Sequence, residues 1–217
     1  MIHPRPSRLL LALLIPAALV LSGCGASDGF STAEALVDRY EVDTAGTFGG
    51  ADASGRVEAL RPSRYFVPEF GPREETFKLV TTAYAQQERL LAVMREHLPP
   101  AVVEKFLAGL ASEPAMFVPL IDADTLRATS PVTAAAAATR PDGDALELTL
   151  VRGPAGWKIL WDFDLAASDR AGERGFMQGV IQTAADLYDR VAGQVADGSV
   201  TDLDGLWKAF GVAKPPA

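Results

Sequence analysis

The feature that most constrains the fold is a segment of three short strand-like runs, and apolar and polar residues alternate in the second and third of them. The runs cover 132–140, 145–152 and 157–165, and the turn sequences Pro-Asp-Gly-Asp and Gly-Pro-Ala-Gly separate them. Alternation predicts strands that bury one face, and turns this short join strands that are antiparallel neighbours. The segment therefore predicts a three-stranded antiparallel meander over about 130–165.

The first run contains five consecutive alanines at 134–138, and alanine favours helix. Its neighbours Val132, Thr133 and Thr139 are β-branched residues, which favour strands. We predict a strand here because the flanking residues and the following turn agree with one.

Helical periodicity flanks the meander on both sides. Before it, apolar residues recur every three or four positions from 72 to 98 and from 101 to 110, and a capping box of Ser31 and Glu34 predicts a helix start. After it, one apolar stripe predicts a long helix, and residues 202–210 predict a short one. The stripe contains Phe176, Val180, Ile181, Ala184, Leu187, Tyr188, Val191 and Val195.

These elements predict the α+β class: N-terminal helices, an antiparallel meander and a C-terminal helical segment. We expect residues 31–167 to form the α+β domain and residues 168–217 to form helices that pack on that same domain.

The N-terminus has the pattern of an export signal. Arg5 and Arg8 precede an apolar run over 9–21, which is too short for the roughly 20 residues of a membrane-spanning helix. The run ends in the sequence Leu21-Ser22-Gly23-Cys24, which resembles the lipobox of bacterial lipoproteins. The resemblance implies removal of residues 1–23, diacylglycerol on the Cys24 thiol, and a tether over 24–30.

A lipoprotein of this kind is expected in the bacterial cell envelope, anchored to a membrane and facing the periplasm or the exterior. Residues 1–23 carry two arginines and no acidic residue, so the formal charge changes from −8 for the whole chain to −10 for the mature one. An acidic protein is poorly suited to nucleic acid, and an anionic bilayer repels it. We therefore expect no nucleic-acid partner, and a membrane attachment made through lipid.

The chain has few residues for metal or nucleophilic chemistry. It contains one cysteine and two histidines, and His3 belongs to the predicted signal peptide. His97 stands at the end of a predicted helix, where a cation favours the helix dipole. We expect no metal site and no cofactor. Asp162 and Asp164 are the candidate catalytic residues, because a carboxylate inside a curled sheet can act as a general base.

A second resemblance covers residues 128–164. Gly143-Asp144-Ala145 leads into one strand and Gly156-Trp157-Lys158-Ile159 begins the next, which is similar to the C-terminal half of nuclear-transport-factor-2-like domains. The resemblance implies a helix pair packed across a curved sheet, and some relatives, such as ketosteroid isomerases, use an acid inside the cone. The long helix predicted over 72–98 and the helical extension after the sheet depart from that family.

Three functions remain open. The preferred interpretation is a lipid-anchored envelope protein that binds a small ligand or a protein partner without catalysis, with Tyr65, Trp157 and Trp161 as candidate ligand-binding residues. The second is a cavity enzyme in which Asp162 accepts a proton. The third is an envelope assembly adaptor that docks through 173–210, which predicts apolar surface left exposed on those helices.

Overall fold

The computed structural model describes residues 29–44, 60–69, 71–109, 117–165 and 171–211. The predicted signal peptide, Cys24 and most of the predicted tether lie outside these residues. The described elements combine helices with one mixed sheet, which confirms the α+β class.

Six α-helices and one 3₁₀ turn, Ala123–Thr125, are described in these parts of the chain. Proline starts three of them, since its fixed backbone angle suits the first helical turn. The predicted capping residue Ser31 is corrected to Thr32, whose Oγ1 accepts a hydrogen bond from the Ala35 amide at 3.1 Å. The helices are α1 Ala33–Thr44, α2 Pro62–Tyr65, α3 Pro72–His97, α4 Pro100–Gly109, α5 Ala171–Ala196 and α6 Leu203–Phe210.

The sheet has six strands in the order β1-β6-β5-β4-β2, and β3 also pairs with β4. β1 runs parallel to β6, and the other pairs are antiparallel. The sheet is therefore larger than the predicted three strands, and β6 ends at Trp161 instead of extending to residue 165. The strands are β1 Phe66–Pro68, β2 Leu120–Ile121, β3 Arg127–Ser130, β4 Thr133–Thr139, β5 Ala145–Gly153 and β6 Gly156–Trp161.

The alanine-rich run is strand β4, as predicted. Ala134, Ala136 and Ala138 are buried and face the helices. Each lies opposite a leucine of β5, in the pairs Ala134–Leu150, Ala136–Leu148 and Ala138–Leu146. The small side chains leave room for the larger ones, so packing against β5 overrides the helix preference of alanine.

The interior consists of two apolar clusters that α3 and α5 connect. The first lies between the inner face of the sheet and α1, α3 and α5, and it contains Tyr40, Tyr84 and Trp161. The second joins the C-terminal halves of α3 and α5 to α4 and α6, through residues such as Met94 and Phe106. The two long helices run side by side in the same direction, since Gln178 bonds Thr76 and Asp189 pairs with Arg89.

Candidate functional site

Asp164 is a structural link and not a free carboxylate. Its side chain is 12% exposed and accepts two hydrogen bonds from Arg174, one from Nε and one from Nη2, both at 3.0 Å. Arg73 Nε lies 3.7 Å from Oδ2, and the Asp164 backbone carbonyl accepts a hydrogen bond from Arg140 Nε at 2.9 Å. Asp164 thereby ties the end of the sheet to the first turns of α3 and α5, and its charge is neutralised by guanidinium groups.

Asp162 lies close by in sequence but on the opposite face of the sheet from Trp161. Partial burial raises the pKa of its carboxyl above the ordinary value, and the hydrogen bond from the Thr149 hydroxyl acts against that rise. The Glu69 charge also raises this pKa and the Arg73 charge lowers it. Asp162 and Asp164 therefore sit in different environments, and Asp162 does not point into the inner cluster of the sheet.

The three candidate ligand-binding aromatics are core residues. Trp161 is fully buried, and its ring centroid lies 5.0 Å from Phe66, 5.4 Å from Phe77 and 4.5 Å from Phe163. Tyr65 is also fully buried, and Trp157 is nearly so. These side chains fill the inner face of the sheet, where edge-on and tilted aromatic pairs add to the stabilisation by burial.

The sequence does not predict a buried charge cluster that is centred on Asp43. Asp43 is 2% exposed and accepts hydrogen bonds from the Tyr65 hydroxyl and from Arg39 Nε, the latter at 3.0 Å. Arg64 Nη1 lies 3.7 Å from the same carboxylate, and its guanidinium stands over the rings of Tyr65 and Phe30. Burial, followed by the hydrogen bond to Asp43, holds the pKa of the Tyr65 hydroxyl well above its ordinary value. The cluster fastens α1 to α2.

The most exposed large apolar side chain of the described residues lies on α5. Phe176 is 69% exposed and Val180 is 37% exposed. Together with Gly175, Gly179, Thr183, Ala184 and Leu187 they line a shallow depression of about 510 Å³, which we call the α5 face. A side-chain carbon added at Gly175 or Gly179 would meet nothing within 4 Å. The stretch 175–185 contains no charged residue.

The α5 face corrects one detail of the predicted stripe. The stripe groups Phe176 and Val180 with Ile181 on one face of the helix, but the structure exposes the first two and buries the third. The adaptor interpretation covers the helices of 173–210 and therefore includes α6. Trp207 is buried against Phe106, so the apolar surface lies on α5 and not on α6.

The chain has no significant match among protein-family models, curated proteins or solved structures. The nuclear-transport-factor-2-like resemblance around residues 128–164 therefore stays a prediction. So does the lipobox, whose Cys24 lies outside the described residues. The site has to be interpreted from its own geometry.

Two further observations concern the described residues alone. No helix among them is both long enough and apolar enough to cross a membrane. No group of three or more histidine, cysteine, aspartate or glutamate side chains is arranged there to hold a metal ion.

Proposed function

We propose that this chain is a lipid-anchored protein of the bacterial cell envelope, attached through Cys24, that binds a protein partner on the α5 face. The exposure of Phe176, at 69%, carries the proposal. A phenylalanine held on a well-packed helix keeps its apolar surface in water, and contiguous surface of this kind is typical of interaction sites.

The composition of the α5 face indicates what it binds. Burial of an exposed phenylalanine or valine contributes about 1.5–3 kcal/mol to association. Gly175 and Gly179 are four residues apart and leave the helix backbone uncovered, so another helix can approach closely. An uncharged surface favours an uncharged partner, because a charge buried there would lose its hydration without gaining a counter-ion. The expected partner is an apolar helical segment of an envelope protein.

The geometry favours a protein partner over a small ligand or a reaction. Small-molecule sites are usually concave and enclose most of the ligand, whereas the depression on α5 is shallow and open. The candidate acids offer little to a cavity enzyme: Asp164 is held by Arg174, and Asp162 faces away from the inner cluster. Among the described surfaces, we therefore take the α5 face as the binding site.

A photo-crosslinking amino acid in place of Phe176 should form a specific adduct with a second protein in intact cells. Val42 on α1 is the matched control, because it is an apolar residue exposed to a similar extent but lies outside the α5 face. The double variant Phe176→Ser, Val180→Ser should abolish the complex while changing the free energy of unfolding by less than about 0.5 kcal/mol, because both positions are exposed. Equal adducts at positions 176 and 42 would rule out a specific site on α5.

The anchor has its own test. Cys24→Ala should abolish labelling by an alkynyl fatty acid, because the thiol that receives the diacylglycerol is gone. The protein should then leave the membrane fraction or accumulate as the uncleaved precursor. Ser27→Ala, which keeps Cys24, should fractionate like the natural protein. A Cys24→Ala protein that is still labelled and still sediments with membranes would show that the lipid is not on this residue.

A further inference from the structure

The end of the predicted tether is fastened to the β5–β6 hairpin. The Trp157 amide donates a hydrogen bond to the Phe30 carbonyl at 2.9 Å, and the two residues form an antiparallel bridge. Gly29 lies so close to the Ala155 carbonyl that no side chain fits there. Gly156 has a φ of +98°, and an added Cβ would lie 2.6 Å from the Phe30 carbonyl oxygen. Gly29 and Phe30 are therefore packed against the hairpin.

A tether fastened at Gly29 is short. Residues 24–28 separate this contact from the predicted lipid, and an extended chain spans at most about 3.6 Å per residue, so Cys24 reaches no farther than about 18 Å from Gly29. Strand β5 has nine residues and spans roughly 26 Å. The tether is thus shorter than the sheet, and it holds one end of the sheet near the membrane surface.

The two ends of the sheet differ in charge and polarity. At the hairpin, the Arg152 amide donates to the Val132 carbonyl, which sets the turn 130–133 beside residues 152–156. We call these two segments the hairpin end. They contain Arg152 and no acidic residue, and Val132 is 52% exposed. The turn at the other end of β5 contains Asp142 and Asp144, and Arg140 flanks it, so its acidic residues outnumber its basic one.

We infer that the hairpin end faces and contacts the surface of the bilayer, while the turn with Asp142 and Asp144 points away from it. This orientation rests on the proposed lipid anchor at Cys24. The short tether brings the hairpin end to the lipid, and a bilayer that contains anionic lipid attracts Arg152 and repels the two aspartates. The occupant of this surface is therefore a lipid bilayer.

The same orientation sets the position of the α5 face relative to the membrane. Arg174, in the first turn of α5, binds Asp164, and the Asp164 carbonyl binds Arg140, which directly follows β4. These residues lie at the end of the sheet opposite the hairpin end, so α5 begins at the membrane-distal end. Phe176 is then presented to partners in the aqueous compartment and not to lipid.

Fluorescence energy transfer tests the orientation on the full lipidated protein. Because Cys24 is acylated, Ala155→Cys and Asp144→Cys each provide one free thiol for a donor dye, at the hairpin end and at the opposite turn. In vesicles of phosphatidylethanolamine and phosphatidylglycerol that carry an acceptor on their headgroups, the dye at position 155 should transfer at least about twofold more efficiently than the dye at position 144. A flexible glycine–serine insertion after Gly25 should reduce this difference.

The outcomes separate the orientation from the anchor. Vesicle-bound protein with equal transfer from both positions, or with more transfer from position 144, would overturn the orientation and leave the anchor intact. Protein that does not float with the vesicles would contradict the anchor, and the orientation with it. A difference that persists undiminished after the insertion would show that the tether does not set the orientation.

Discussion

Trp161→Ala should lower the free energy of unfolding by about 3–5 kcal/mol, which is among the largest losses that a single substitution in a protein core produces. The side chain is fully buried on the inner face of the sheet and contacts the rings of Phe66, Phe77 and Phe163. Its removal leaves a cavity that rigid strand β6 cannot close. Urea unfolding followed by far-ultraviolet circular dichroism, in a Cys24→Ala background that avoids the lipid, measures the loss.

Two variants make this result specific. Trp161→Phe keeps most of the volume and should lose clearly less stability, whereas Val42→Ala, at an exposed position, should change it by less than about 0.5 kcal/mol. The experiment also separates packing from ligand binding. A residue that only lined a ligand site could be truncated with little loss, so a loss below about 1 kcal/mol would contradict the assignment of Trp161 to the core.

The sequence predicts those elements whose signals are local. Helix α3 begins at Pro72 and ends just before Pro99 and Pro100, because proline suits a first turn and cannot continue a helix. β5 is found where alternation and turn residues indicate a strand, and β4 is found where its β-branched flanks and the following turn indicate one. The three strands that the sequence does not predict are short: β1 has three residues, β2 has two and β3 has four, too few to show a clear period. Only their pairing with β6 and β4 makes them strands.

The exposed apolar surface on α5, which we propose as a binding surface, was predicted in part, and the reason lies in the geometry of that helix. A period of 3.6 residues groups Phe176, Val180 and Ile181 on one side of the helix, but the sequence does not say how far the partner elements extend along it. In the structure the inner cluster covers Ile181, while Phe176 stays exposed at the start of the helix. Apolar surface on the helices of 173–210 was therefore foreseeable, and its position at the N-terminal half of α5 was not.

The acidic residues also depend on contacts between elements that the local sequence does not predict. Asp162 and Asp164 stood out because they lie at the end of a predicted strand, yet the role of Asp164 depends on Arg174 and Arg73, which belong to two separate helices. The sequence does not single out Asp43. With Arg39 it forms a pair of opposite charges four residues apart on a helix, and such pairs usually lie on a solvent-exposed face. Burial beneath Tyr65 and Arg64 is a property of the tertiary fold and not of the local sequence.

Asp43→Ala should lower the free energy of unfolding by about 3 kcal/mol, because it removes a buried carboxylate and leaves the groups that bind it without their acceptor. The Tyr65 hydroxyl loses its hydrogen bond, and Arg39 and Arg64 lose their counter-ion, although both arginines are partly exposed and recover some hydration. Urea unfolding of the same Cys24→Ala background measures the loss.

A double-mutant cycle with Asp43→Asn and Tyr65→Phe isolates the contact between the two side chains. The asparagine keeps the shape of the aspartate, and the phenylalanine removes only the hydroxyl, so neither change opens a large cavity. We expect a coupling energy of about 1–3 kcal/mol, since the two groups are buried and share a hydrogen bond. Additive losses would mean that the Tyr65 hydroxyl contributes nothing to the link between α1 and α2, which would then rest on the contact between Asp43 and Arg64.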